Sequence, residues 1–305
     1  MATAQLRLEP GTLWAKIKDR TEYALGCGAL QSIPTEYEFV EDNGISFLVR
    51  ILSNLARKDE AKKRQEQKKA ASSKEFNPFL PYEEDLFVAN ISDTHLCLLN
   101  KFNVVDNHLL IVTRAFEEQE SWLTLQDFES MWACLAEFEG LAFYNAGKIA
   151  GASQRHKHLQ IVPLPLVPNG LKMPIEPWLT SARFQGSVGK IPDFPFVHAI
   201  AKLEPAWVES PLSAAAETLE LYYALLHTVG LSGDGVGDSS QAGAYNLLAT
   251  REWILIVVRS QEEFNSISVN SLGFAGALLV KNEQQMRILK EYGPINILRS
   301  VAQSR

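Results

Sequence analysis

Between Gly151 and Pro163 the chain reads GASQRHKHLQIVP, with His156, His158 and Gln160 at every second position. In an extended segment residues i, i+2 and i+4 share a face, so two imidazoles and an amide converge while Lys157 and Leu159 turn away. The segment runs straight into the apolar stretch 159–162, as a strand does at the margin of a core.

Four chemistries fit that spacing. The residues could dress a solvated strand face. An HxH pair could supply two zinc ligands; His95, Cys97 and His108 are the candidates to complete the set, although their spacing matches no zinc pattern. Ser153 could take part in Ser/His chemistry, but it lies in a glycine-bearing loop and no GxSxG elbow is present. Finally, a neutral histidine can attack phosphorus and form a phosphoramidate, dividing one group transfer into two easier steps. That chemistry needs a hydrogen bond on the other ring nitrogen to set the tautomer, and donors for the phosphoryl oxygens. Gly151 and Ala152 are small enough for backbone N–H groups to approach a phosphate closely. The nucleophilic reading is the one that uses both histidines, the glutamine and the loop.

The elements around this strand point to an α+β fold. Residues 11–26 have helical apolar spacing closed by Gly26, and segments 36–41 and 45–52 read as a strand pair around Asn43-Gly44. Short strands are expected at 86–91, 94–101 and 107–113, close enough in sequence for an antiparallel meander. A long amphipathic helix is expected over 124–146 with Thr124 as its cap. The proline-rich stretch 163–177 reads as an irregular connector. The second half repeats the style of the first, with strands near 196–203, 243–249 and 253–259, a helix at 213–229 and a terminal helix from about 282. Strands and helices are segregated, and no GxGxxG follows a strand, so a Rossmann unit is unsupported.

Bulk properties bound the function. The 305 residues are 46% hydrophobic and 21% charged, enough for one large domain or two ordinary ones. A formal charge of -7 argues against a general nucleic-acid binder, so an anionic ligand must be met by a local cluster of donors. Segment 57–70, RKDEAKKRQEQKKA, carries seven Lys or Arg against three Asp or Glu; a mobile basic segment over 57–75 is expected, with Lys58 nearest the preceding strand. Cys27, Cys97 and Cys134 form no CxxC pair, and no signal peptide or long apolar run is seen, so a reduced, cytoplasmic setting without membrane contact is expected.

HKHLQIVPLP resembles the active-site strand of the histidine triad superfamily, in the branch whose third motif position is glutamine. That branch holds galactose-1-phosphate uridylyltransferase and the diadenosine tetraphosphate phosphorylases, also called ATP adenylyltransferases. NPFLPYEEDLFVANISDTHLCLLNKFNVVDNHLLIVT is similar to the N-terminal region of the phosphorylases, and YNLLATREWILIVVRSQE with ISVNSLGFAGALLVKNEQQ to their C-terminal domain. The resemblance implies a histidine-triad-like antiparallel sheet with flanking helices, of the uridylyltransferase type. It also implies an N-terminal nucleotidyltransferase domain over 1–168, a connector over 163–190 and a C-terminal ATP adenylyltransferase domain over 190–305.

The roles that the resemblance implies are these. His158 is the nucleophile that becomes adenylylated, His156 orients the strand, and Gln160 holds the phosphoryl group. Gly151, Ala152, Ser153 and Gln154 cradle phosphates with Asn145 as an added donor. Asp93 and Thr94 meet the adenosine; Asn270, Ser271, Leu272 and Lys281 are C-terminal substrate contacts, and Lys58 is a further one. The implied reaction is reversible phosphorolysis of diadenosine tetraphosphate to ATP and ADP, with magnesium accompanying the nucleotide, no organic cofactor and a monomeric chain. Glutamine suits transfer: it can hold a phosphoryl group but cannot act as a general acid or base near neutral pH. Two alternatives stay open. One is a dinucleoside polyphosphate hydrolase or an adenylyl sulfate-using nucleotidyltransferase; the other is a nucleotide-binding sensor without turnover.

Overall fold

The structure, a computed structural model, describes residues 5–52, 77–168, 170–231 and 243–305. Helix α1 (Leu13–Cys27) buries Leu13, Ile17 and Ala24. It runs past Gly26 and stops at Gly28, whose left-handed backbone (φ 79°) returns its N–H to Leu25 O. Strands β1 (Thr35–Asp42) and β2 (Ile45–Leu52) follow, joined by Asn43 (φ 48°) and Gly44 (φ 77°), the two left-handed residues that a tight hairpin requires.

Strands β3 (Phe87–Asn90), β4 (His95–Leu99) and β5 (Leu109–Thr113) form the expected meander. Helix α2 (Leu125–Glu137) opens on a reciprocal cap between Thr124 and Asp127. It ends nine residues before the expected limit of 146, since Phe138 is extended and Gly140–Asn145 form β6. The physical reason is burial on both faces. Leu141 and Phe143 enter one core cluster, Ala142 and Tyr144 the other, and Gly140 lies so close to β7 (His158–Pro163) that a Cβ would fall 2.8 Å from Ile161 Cγ2.

The connector is more regular than its prolines suggest. After helix α3 (Glu176–Leu179), strands β8 (Arg183–Gln185) and β9 (Val188–Lys190) pair as a hairpin and extend the sheet through β10 (His198–Lys202). Helix α4 (Pro211–Thr228), β11 (Tyr245–Ala249), β12 (Trp253–Val258) and the short pair β13 (Glu263–Phe264) and β14 (Ile267–Ser268) come next. The chain closes with α5 (Ser271–Phe274), β15 (Ala277–Val280), α6 (Glu283–Tyr292) and α7 (Pro294–Val301). The single terminal helix expected from the sequence is thus two, broken where Gly293 and Pro294 meet.

Ten strands make one antiparallel sheet in the order β3-β4-β5-β7-β6-β11-β12-β10-β9-β8. The order is a palindrome: each half contributes a meander, a long helix and a returning hairpin, and the halves join edge to edge where β6 pairs with β11. Helices α1, α2 and α4 cover one face. The other face packs against the small sheet β1-β2-β15 and helices α5 to α7.

Candidate functional site

The histidine strand occupies the interior of the sheet between β5 and β6, where Val112 pairs with His158 and Leu110 with Gln160. His158 and Gln160 face a cleft of about 2290 Å³ that runs between the large sheet and the wall built by β2 and β15.

His158 is almost wholly buried. Its Nδ1 donates to the carbonyl of His156 at 2.8 Å, so the tautomer is set and Nε2 keeps its lone pair toward the cleft. Burial pushes its pKa down to about 4, against the lift from the His156 carbonyl, and the ring is neutral near pH 7. Its backbone is also held. Gln119 Oε1 accepts from His158 N at 2.9 Å, and Gln119 Nε2 donates to His158 O at 3.1 Å and to Asn145 O at 3.0 Å.

Gln160 receives an orientation from His108. Asn100 Nδ2 donates to His108 Nδ1 at 3.1 Å, so the proton of the neutral ring sits on Nε2 and is given to Gln160 Oε1 at 2.9 Å. Burial keeps His108 at a pKa of about 4, and hence a donor on this side only. With its oxygen occupied, Gln160 presents its NH₂ to the cleft, which is the polarity a phosphoryl oxygen requires.

His156 does not line the cleft. Its Nε2 donates to Thr113 O at 2.8 Å and its Nδ1 accepts from Asn77 Nδ2 at 2.9 Å. It therefore hooks the segment after Asn77 onto the strand and brings the Phe79 ring to 5.4 Å from that of His158.

Lys157, on the opposite face, has no exposed surface. Its ammonium meets Asp127 at 2.7 Å, Glu117 at 3.1 Å and the Trp122 carbonyl at 2.9 Å. Asp127 also accepts from His95 Nε2 at 3.0 Å and from Thr124. Burial opposes the charge on both groups. The mutual attraction, with help from His95 and Glu117, still holds the Asp127 carboxyl well below its ordinary range and raises Lys157.

The loop before the strand is a cradle. Gly147 (φ 81°) and Gly151 (φ 91°) take left-handed conformations, and a Cβ on Gly151 would lie 2.8 Å from Val269 O and 3.1 Å from Asn270 Cα. The loop thus rests directly on the C-terminal half. Residues Gly151–Gln154 line the cleft, as does Asn145. Asn145 Oδ1 is used up by Asn246 Nδ2 (2.8 Å) and by Ser271 N and Oγ (3.0 and 2.7 Å), which leaves its NH₂ as the group to offer. Arg259 underlies the loop, donating to Ala150 O at 3.2 Å, Asn246 Oδ1 at 2.6 Å and Val269 O at 2.8 Å. Asn270 caps α5 through Leu272 N, and Asn270, Leu272 and Lys281 all reach the cleft, whereas Ser271 is buried behind it.

Other sequence candidates lie elsewhere. Asp93 pairs with Arg7, and Thr94 Oγ1 bonds to His95 Nδ1; neither is part of the cleft lining, which on this side includes Asn100 and Lys101. Lys58 and the whole basic segment 57–75 lie outside the described residues. His95, Cys97 and His108, weighed as metal ligands, have other partners or surroundings: Asp127 for His95, Asn100 and Gln160 for His108, and the apolar core for Cys97. Among the described residues no group of three or more His, Cys, Asp or Glu could hold a metal ion, and no helix is long and apolar enough to cross a membrane.

A family model described as the Ap4A phosphorylase N-terminal domain matches residues 3–181, and one described as the ATP adenylyltransferase C-terminal domain matches residues 192–304. Diadenosine 5',5'''-P1,P4-tetraphosphate phosphorylase 2 of Saccharomyces cerevisiae is 29% identical, over 90% of this chain and 89% of its own. The crystal structure of yeast Ap4A phosphorylase Apa2 superposes with a TM-score of 0.75 at 24% identity, covering 97% of this chain and 95% of that one. The structure of the same yeast enzyme in complex with Ap4A gives 0.74 at 22% identity, covering 98% and 100%. At that identity the likeness establishes a shared fold.

Proposed function

The chain belongs to the Ap4A phosphorylase family, and from that premise we propose that it cleaves diadenosine tetraphosphate with phosphate, giving ATP and ADP, through an adenylylated His158. One observation carries the mechanism: His158 spends Nδ1 on the His156 carbonyl and presents Nε2 to the cleft, beside an amide whose donors face the same way.

In the forward direction Nε2 attacks an α-phosphorus of the dinucleotide. The P–N bond forms, the bond from that phosphorus to the bridging oxygen breaks, and ATP leaves. Gln160, Asn145 and the 151–154 backbone are the donors to the phosphoryl oxygens as charge gathers on them. An oxygen of inorganic phosphate then attacks the same phosphorus, the P–N bond breaks, and AMP departs as ADP with His158 restored. Neutral His158 is poised for the first step without prior loss of a proton.

We also propose a monomeric chain in the cytoplasm, a setting that the three unpaired cysteines support. Magnesium is taken to arrive on the polyphosphate, whose oxygens suit a hard dication that keeps several waters, so it is cargo of the substrate and no step is assigned to it.

The test is a product assay on purified protein with diadenosine tetraphosphate, with and without phosphate. ATP plus ADP appearing only with phosphate, and lost in His158→Ala, is the expected result. ATP plus AMP without phosphate would make the protein a hydrolase and overturn the role given to Gln160. Nucleotide binding without turnover of this substrate or of adenylyl sulfate would leave a sensor.

A further inference from the structure

The cleft lining contains five cations, and two of them are already neutralised: Lys101 by Glu83 and Arg155 by Glu118. Among the described residues, Arg50, Lys148 and Lys281 have no ion pair. Lys148 belongs to the cradle loop and Lys281 was implied by the family resemblance. Arg50 is assigned to nothing.

Arg50 lies on β2, the middle strand of the small sheet. Alternate residues of β2, Leu48, Arg50 and Leu52, face the cleft; from the neighbouring strand it is lined by Ala277, Leu278 and Leu279 of β15 and by Lys281 just past its end. Phe47, Val49 and Val280, which alternate with them, go into the core. The side chain is thus placed by strand parity on the cleft wall. Its guanidinium makes one long hydrogen bond among the described residues, Nη1 to Thr35 Oγ1 at 3.4 Å. Desolvation disfavours its charge, and the carboxylate of Asp106 favours it only through space. Among the described residues most of the donors of this half-buried guanidinium have no protein partner, so they are free to meet a ligand in the cleft.

The wall also leads from the reacting atoms. Gly151 touches Val269 and Asn270, and that backbone continues through α5 into β15, where Leu279 is register partner to Arg50. The transferred phosphoryl group takes Gln160 and the cradle, and the leaving oxygen must depart roughly in line with the attacking nitrogen. The remaining phosphates then extend away from His158 and need donors further along the cleft.

We propose that Arg50 is a binding residue for the departing nucleotide, its planar fork engaging the phosphates that leave as ATP, with Lys281 beside it on the neighbouring strand. Resting on the phosphorylase reading, this assigns the two walls different cargo: the cradle side takes the adenylyl group, and the small sheet takes the polyphosphate. Guanidinium suits the task because it binds phosphate bidentately.

The experiment compares wild type with Arg50→Met and Arg50→Lys on three measurements: KM for diadenosine tetraphosphate, KM for ATP as acceptor in the synthetic direction, and KM for inorganic phosphate. Arg50→Met is expected to raise the first two about 10- to 100-fold, with kcat changed by less than about threefold and the phosphate KM by less than about twofold. Arg50→Lys, which keeps charge without the fork, should fall between. An unchanged KM for ATP overturns the proposal. So does an equal rise for inorganic phosphate, which would mean general damage to the site, or a rise for phosphate alone, which would make Arg50 the acceptor's partner. If wild type turns nothing over, the phosphorylase reading has failed. Equilibrium binding of ATP to the three proteins then still judges Arg50, and equal affinities reject it.

Discussion

In the palindromic sheet β7 and β12 hold corresponding places, each between a central strand and the strand that precedes its half's long helix. Strand β12, WILIVV, is buried along its whole length and apolar throughout. Strand β7 places a histidine and a glutamine in the equivalent slot. A second pairing sharpens the contrast. His198, at the start of β10, repeats the local geometry of His158: its Nδ1 donates to the carbonyl two residues back, Phe196, at 2.8 Å, and burial keeps its pKa at about 4. The difference is the other nitrogen. His198 Nε2 accepts from Ile191 N at 2.8 Å, whereas His158 Nε2 faces the cleft. The second half uses its buried histidine to staple a loop, and the first half leaves a lone pair available. Burial and a lowered pKa are common to both, so neither marks out the proposed nucleophile; what separates His158 is the unspent nitrogen.

Substitutions should separate the two halves. His158→Ala should cut phosphorolysis by about 10⁴-fold or more while the protein stays folded, read as product formation and thermal melting on one sample. Asp127→Asn, behind β7, should cost about 3–5 kcal/mol of stability in denaturant unfolding, since it leaves the Lys157 charge buried and uncompensated. His198→Ala should cost about 1–3 kcal/mol by orphaning Ile191 N–H, with turnover per folded molecule retained. A large loss of turnover there would erase the contrast. His108→Leu should lower kcat about tenfold through a disoriented Gln160, and little change would mean the amide is held by the substrate instead.

The finest effect is in pH. His108, His158 and His198 all have folded pKa values of about 4, below the unfolded 6.5. The unfolded chain therefore binds about three more protons than the folded one between those values, and stability present above pH 6.5 is lost as pH falls toward 4. The acid limb of kcat/KM should likewise lie near pH 4. A midpoint near 6.5 would place His158 in a wetter site than the structure gives.

The chemistry was legible in the sequence where it is local. Spacing put His156, His158 and Gln160 on one face and turned Lys157 away; His158 and Gln160 do line the cleft, whereas His156, just before β7, is taken up by Thr113 and Asn77. The loop's small residues, too, pointed to close backbone approach. What orients these groups was not legible, because it comes from far along the chain. Gln119 is 39 residues from His158, His108 is 52 from Gln160 and Asn77 is 79 from His156. Gln119 stands in an acidic run, FEEQES, with nothing to mark it as the brace of the His158 backbone. Helix α2 was read too long for a related reason. GLAFYN has a helix-compatible apolar content, and only its burial between two other strands makes it a strand.

The joint between β6 and β11 has a consequence for any attempt to divide the protein. All six residues of β6 are buried, and β11 covers its outer edge with main-chain hydrogen bonds. A fragment ending near residue 190 would bare that edge: a flat, apolar ladder of unpaired N–H and C=O groups carrying no lysine or proline to discourage a stranger. Such a piece would find its missing neighbour in another copy of itself, and would be recovered as aggregate more readily than as half an enzyme.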